Sequence, residues 1–434
     1  MNTKIINQLE AIFGEEFKLV QHDLGKMEQL VQQKMQLLGQ GLLQRLVNQN
    51  PNGYQGSYIP CQCRSTSLRD SATAGGGWME FVQYRPKDVH TLFGWIKVKR
   101  AYYHCPNCGN SAVPYDVAGG LGSGQLSPGL AKACCVLAVD DSFRQTSQKI
   151  EELFGQEVSD NTIERVVQQV GTVAARDQQR QLEEFLEHRQ IPPAQPRPDR
   201  LYIAADGTTA HEIDGWHEVK TGSIYWQNGD FNSDKRYVAC FDNSEVFGWY
   251  LWLEACKCGL REAQEVVYLG DGAGWVRSEH ESHFSTATFI IDWYHLEEHV
   301  WNCSKLLFGD GTQATARWAA KVLALLWDGW TKKALDYLIR QRKKHRGSKR
   351  KAIDDLYHYI SVNEEQMRYD VFRSKGYHIG SGAAEGACKS VVGKRLKQSG
   401  MIWRRLGSSS VLALRLVWLN GRWEQLWQAK PLAA

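Results

Sequence analysis

The sequence predicts a multidomain α/β protein, and three observations carry that expectation. The chain has 434 residues, against roughly 100 to 200 per domain, so two to four domains are expected. Between residues 201 and 296, apolar strand-like runs and helical stretches follow in the order β-β-β-α-β-α-β, a pattern that builds a mixed sheet with helices packed on it. Ahead of that region, a segment with Pro192, Pro193, Pro196 and Pro198 holds an extended conformation and separates it from a differently patterned N-terminal part. The apolar share of 43% and charged share of 23% are those of a globular chain.

Residues 1–50 read as two helices broken near Gly25, because Leu9, Ile12, Phe13, Phe17 and then Leu30, Val31, Leu38, Leu42, Leu46 recur at three and four. They either pack on the rest of the chain or serve self-association. Residues 51–118 read as a β-domain of zinc-ribbon layout. Cys61 and Cys63 stand before a strand-like run at residues 91–103, and Cys105-Pro106-Asn107-Cys108-Gly109 follows it. Tetrahedral zinc takes four thiolate or imidazole ligands, and two tight turns at one end of a hairpin deliver them. The single residue between Cys61 and Cys63 is tighter than an ordinary knuckle, so four free thiols in an unmetallated domain stay open. Eleven cysteines, an odd number, suit thiols and metal ligands in a reducing compartment better than a disulfide framework.

Residues 119–190 read as a helix-turn-helix-like DNA-binding region: one helix over 143–154, a turn at 155–158, and a second helix over 159–167 that Ser159 is placed to cap, with a helix to about Arg189 ending the region. Asn161, Thr162 and Arg165 near the start of the second helix are the candidates for base or phosphate contact. Two helices joined by a glycine turn also occur in many helical domains, so an ordinary packing role stands beside it. The proline-rich linker spans 191–200.

The first part of the core covers residues 201–296. Its first strand, 201–208, ends on Asp206-Gly207; strands at 221–226 and 236–241 and a helix over 249–259 follow. The strand at 265–272 ends on Asp271-Gly272, and the last runs through 288–295. That order is the one of ribonuclease-H-like folds, in which the first and fourth strands are neighbours and Asp206 faces Asp271. Two such carboxylates hold one or two hard cations through oxygen, and Mg2+ or Mn2+ pairs of this kind drive phosphodiester chemistry. An Asp-Gly alone is more often a plain turn. A helix-like insertion fills 297–372, and residues 373–434 return to the core with Glu385 as the candidate third acid, among small residues that allow close approach.

Between 373 and 405, Glu385 is the only acid beside Arg373, Lys375, Lys389, Lys394, Arg395, Lys397, Arg404 and Arg405. Lys389, Lys394, Arg395, Lys397, Arg404 and Arg405 are the candidate DNA contacts, since such a cluster neutralises phosphates. A second basic run at 332–351, opposed only by Asp336, serves DNA or is a solvated helix face. Asp292 and His295, in Asp-Trp-Tyr-His, are either auxiliary site residues or a structural bond at a strand-to-helix junction. No signal peptide or membrane-spanning run is present and the net charge is +4, so a cytoplasmic, nucleoid-associated protein that meets no membrane is expected.

At residues 202–207, 269–275, 290–299 and above all 380–400, GSGAAEGACKSVVGKRLKQSG, the chain resembles the ISKra-type insertion-sequence transposases of the DDE class. The resemblance implies a catalytic triad of Asp206, Asp271 and Glu385 on a ribonuclease-H-like core, with a helical insertion before the glutamate. It is also similar to mutator-like relatives with an acid or Cys, two residues and then His after the second aspartate, positions held here by Asp292 and His295. It further implies DNA as partner, both element ends and target, a homo-oligomer, and Mg2+ or Mn2+ at the triad, while one structural Zn2+ rests on the cysteine spacing alone, from whose ordinary form Cys61-Gln62-Cys63 departs. A structure-specific nuclease with the same metal site, or a DNA-binding regulator derived from a transposase, are the alternatives.

Overall fold

The computed structural model describes residues 3–20, 22–49, 52–63, 77–191, 193–194, 196–380 and 382–433. Pro192, Gln195 and Ser381, and the side chains of Leu9, Phe13 and Phe17, lie outside what it describes. Two compact units are found, residues 1–170 with 424–434, and residues 171–423.

The first unit begins with helices α1 (Thr3–Val20) and α2 (Leu24–Val47), the second capped by Asp23, whose side chain accepts from Lys26 N. Strands β1 (Tyr58–Pro60), β2 (Trp78–Thr91), β3 (Gly94–His104) and β4 (Ser111–Ala112) form an antiparallel sheet in that order. Helices α3 (Pro114–Gly119), α4 (Pro128–Ala138) and α5 (Phe143–Phe154) follow. In α5, Ser142 and Gln145 cap each other reciprocally, and Gly155 ends the helix at φ +60°, the left-handed conformation that glycine reaches without strain.

Helix α6 (Asp160–His188) is continuous, and the division between units falls inside it at Val170/Gly171, not at the proline-rich stretch that the sequence marks. The reason lies in what the second half of α6 buries. Leu182 and Phe185 pack with Leu253, and Gly171 crosses the backbone of Ser410 so closely that a Cβ would collide with it.

The second unit is built on strands β5 (Arg200–Glu212), β6 (Gly215–Asn228), β7 (Phe231–Asn232), β8 (Arg236–Cys240), β9 (Glu265–Gly270) and β10 (Thr288–Ile291), in sheet order β10-β9-β5-β6-β7 with β8 also on β6. β5, β6 and β8 are antiparallel; β9 and β10 run parallel to β5. Helices α7 (Ser244–Lys257) and α8 (Gly274–His283) connect them. Then α9 (Trp293–Phe308), α10 (Gln313–Trp327), α11 (Thr331–Arg342), α12 (Gly347–Val362), a 3-10 turn (Glu364–Met367) and α13 (Tyr369–Ser374) form the expected helical insertion. It shares one core with the sheet: Val322, Leu326, Leu338, Ile353, Ile360 and Tyr369 are buried in the same cluster as Leu201, Ile203, Val267, Leu269 and Ile290. Helix α14 (Gly382–Ala387), a π-helical turn (Cys388–Gly393), α15 (Lys394–Leu396) and α16 (Arg405–Leu419) complete it, and α17 (Trp423–Gln428) begins at its last residue. Among the described residues no helix is long and apolar enough to cross a membrane.

Three local expectations are corrected. The first strand does not end at Asp206 but runs to Glu212, because β6 stays paired with it throughout, from Arg200↔Gln227 to Glu212↔Gly215. The helix after the third strand starts at Ser244, five residues earlier than its apolar pattern suggests, because Asn243 caps it by accepting from Val246 N. The last strand stops at Ile291, so His295 stands on α9 rather than at a strand end.

Candidate active site

The register of the central strands places the two aspartates. β5 and β9 pair in parallel from Arg200↔Glu265 to Ala204↔Leu269, and Asp206 and Asp271 each stand two residues beyond the last pair. Both therefore lie at the carboxyl edge of the parallel strands, near enough for the Asp271 charge to act on Asp206. In open α/β sheets that edge, where connections diverge, is where ligands bind. Past it, β9 turns into α8 with Asp271 Oδ1 accepting from Ala273 N at 2.8 Å, while Gly272 takes φ +83°.

Asp206 is half-buried; its Oδ1 accepts from Gly207 N at 2.7 Å and its Oδ2 from the Cys388 thiol at 3.3 Å. Burial raises its carboxyl above the ordinary range, and the Asp271 charge adds to that, while the Cys388 and Gly207 bonds and His295 act against it. Two partly desolvated carboxylates that repel each other form a place where a cation lowers the free energy. The Cys388 thiol also lies 3.0 Å from Thr221 Oγ1. Burial pushes that thiol up to about 12, so it remains a protonated donor.

Behind Asp271, Tyr359 donates its hydroxyl to the Asp271 carbonyl at 2.8 Å and stacks on His299 at 4.3 Å. His299 and His295 share a hydrogen bond between their Nε2 atoms, 3.1 Å apart. Burial first, and His295 second, hold His299 below its ordinary value. Asp292 is buried and caps α9, its Oδ1 accepting from Tyr294 N at 2.7 Å while its own amide donates to Gly270 O at 2.9 Å.

Glu385 stands on α14 with its carboxylate exposed and 2.6 Å from Lys389 Nζ; the side chain of this segment that reaches Asp206 is Cys388, one turn on. The fully buried Arg415 holds the π-helical turn that starts at Cys388, donating from Nε to Val391 O at 2.7 Å and from Nη2 to Ser390 O.

The basic residues fall into distinct settings. Lys389, Lys394, Lys397 and Arg404 are exposed, with Lys397 donating to Thr208 Oγ1 two residues beyond Asp206. Arg405 sits 3.0 Å from the buried Glu212 and over the Phe241 ring. Arg395 is a correction: it is fully buried, 4.9 Å over the Trp403 ring and bonded to Met401 Sδ at 3.3 Å. The Trp403 ring and the Met401 sulfur hold the guanidinium inside, and it offers no surface for a phosphate. In the first unit Asn161 and Arg165 are exposed and Thr162 is half-buried, with the Arg165 guanidinium resting against Thr162 Oγ1 at 3.4 Å.

The four cysteines of the first unit converge. Cys61 and Cys108 sulfurs are 3.6 Å apart, Cys63 and Cys105 sulfurs 3.7 Å, and all four lie within 4.8 Å of one another. Four thiolates around one zinc, with Zn–S about 2.3 Å, stand about 3.8 Å apart, so the donor set fits. Cys105 is lowered to about 7, first by the Cys108 backbone amide and against the effect of burial.

Cys388, Thr221, Tyr359 and Arg415 were missed from the sequence. Cys388 carried a signal, three residues after Glu385 and therefore near it on a helix. Tyr359 and Arg415 carried none, since they reach the site only through the insertion and the C-terminal helix.

The model of the uncharacterised protein family UPF0236 matches residues 78–429, which takes in Cys105, Cys108, both aspartates and the whole region around Glu385 but begins after Cys61 and Cys63. A protein of Streptococcus gallolyticus described as "UPF0236 protein in vanSb 3'region" is 26% identical over 369 residues, 80% of this chain and 76% of its own length. On that match over most of its length, the chain belongs to the UPF0236 family.

Proposed function

We propose that this protein is a DDE transposase of a bacterial insertion sequence, which cuts DNA strands at the element ends and joins them to target DNA on a ribonuclease-H-like core. The observation that carries the reading is the placement of Asp206 and Asp271 two residues beyond the end of one parallel register. The sheet order and its three antiparallel and two parallel main strands support it, as do the exposed Lys389, Lys394, Lys397 and Arg404 in the segment around Glu385. Structural Zn2+ in the four-cysteine cluster and DNA reading by α5 and α6 belong to the same proposal.

Asp206, Asp271 and Glu385 would hold the Mg2+ or Mn2+ ions, whose chemistry when bound is to polarise the scissile phosphate and neutralise charge on attacking and leaving oxygens. To join the aspartates Glu385 would have to give up its ion pair with Lys389, and an exposed pair of this kind is worth only about 1 kcal/mol or less. In the first step the oxygen of water forms a bond to phosphorus and the 3′ oxygen of the element end leaves as a hydroxyl. In the second, that 3′ hydroxyl attacks a target phosphodiester and the target's own 3′ oxygen leaves. His295 and His299 hold a proton between their Nε2 atoms close to Asp206, and Lys397 and Lys389 face the phosphates. Incubating the protein with labelled element-end DNA, target plasmid and Mg2+ should give both nicked and joined products. Nicks without joined strands would instead support a nuclease.

A further inference from the structure

Helix α2 presents three faces besides the side where Gln32 and Gln36 donate to Leu153 O and Phe154 O at the end of α5. On the first, Gln40, Gln44 and Asn48, four residues apart, bond the open edge of β3. Gln40 Nε2 donates to Trp95 O at 2.6 Å, Gln44 Nε2 to Lys97 O at 2.7 Å, and Lys97 N and Lys99 N donate back to Gln44 Oε1 and Asn48 Oδ1 at 2.7 and 3.0 Å. The helix thereby covers an edge strand that would otherwise invite pairing, and Leu43 and Val47 fill its contact with the sheet's apolar side. A second face meets α1, where Lys34 Nζ stands 2.5 Å from Glu16. The third carries Leu24, Val31, Met35, Leu38, Leu42 and Leu46, all exposed, Leu38 least at 39% and Leu24 most at 68%. From Val31 on their steps are four, three, four and four, the spacing of a coiled-coil seam. At about 100° per residue this stripe lies nearly opposite the glutamine ladder.

We propose that the stripe docks a second copy of this chain, α2 against α2, antiparallel about a twofold axis. Charge decides the occupant and the direction. Glu28 and Arg45 border the stripe at its two ends, both exposed and, among the described residues, without an ion partner. When Met35 faces the second copy's Leu38, Val31 faces Leu42 and Glu28 faces Arg45, twice by symmetry. A parallel pair sets Glu28 against Glu28 and Arg45 against Arg45. The exposed parts of the six apolar side chains amount to about 500 Å² on one copy, the size at which a patch marks an interaction site. Two copies together bury about 1,000 Å², the threshold for a specific interface. This inference is independent of the enzymatic reading.

The test is the mass of the full-length protein in solution, by sedimentation equilibrium without DNA and with thiols kept reduced. The wild type is expected as a dimer and Leu38→Glu with Leu42→Glu as a monomer of unchanged helical content, since both sites are exposed. Glu28→Arg weakens association by roughly tenfold, with two pairs lost, and adding Arg45→Glu restores it. A monomeric wild type, a dimer indifferent to the leucine substitutions, or charge reversals that fail to compensate would each overturn the proposal. The same wild-type dimer showing no DNA cleavage would sink the transposase reading and leave this one standing.

Discussion

At the residue scale, what burial does to titrating groups is decisive. His90 is buried against the Trp95 ring at 4.3 Å with Nε2 bonded to Gln156 Oε1 at 3.0 Å, and desolvation, against the Gln156 bond, lowers it from the ordinary 6.5. In the unfolded chain it protonates at its ordinary value, in the folded one only below it. Its stabilising contribution is therefore complete above pH 6.5 and is lost as pH falls from there through the folded value. Thermal unfolding followed between pH 7.5 and 5 should show the midpoint of the first unit falling, and His90→Gln should flatten that slope; an unchanged slope contradicts the assignment. Asp206 and Asp271 were legible because each closes an apolar run with Asp-Gly. The details around them were not: Cys388 on Asp206 depends on a π-helical turn held by Arg415, and no local pattern encodes a turn whose carbonyls are satisfied by a side chain over twenty residues away.

Elements show the same division between local and distant causes. The capped helix α5, the strand β9, the start of β10 and the insertion were readable from period and caps, because those signals act within a few residues. The length of β5 was not, because its continuation past Asp206 comes from β6, and neither was the unit boundary inside α6, because it reflects what each half of that helix packs on. Two tests belong here. Gly171→Val forces a branched side chain into the Ser410 backbone and should cost about 3 kcal/mol or more of stability in denaturant unfolding; a cost under about 1 kcal/mol would mean the two helices separate freely. For the cysteine cluster, purified protein should carry about one zinc per chain by elemental analysis. Cys105→Ser should abolish it and lower the unfolding midpoint, whereas full zinc content in that variant would place the metal elsewhere.

For the whole molecule, one core unites sheet and insertion, so the insertion braces the site through Tyr359 rather than hanging from it as a separate module. If the protein cuts DNA as proposed, the exposed basic residues around Glu385 act on phosphates collectively. DNA binding should weaken steeply with salt, and Lys389→Ala with Lys397→Ala should reduce the slope of log affinity against log salt by about two; an unchanged slope would show that phosphates lie on another face. The central claim is that Asp206, Asp271 and Glu385 form one metal-dependent catalytic set, although the fold itself draws together only the first two. The most direct measurement is strand cleavage on labelled element-end DNA with Mg2+, comparing wild type with Asp271→Asn and Glu385→Gln. Loss of at least about 100-fold in rate for each, with DNA binding retained, is the expected result. Cleavage at the wild-type rate by either variant would contradict the account and, for Glu385, would return attention to Asp292 as the third acid.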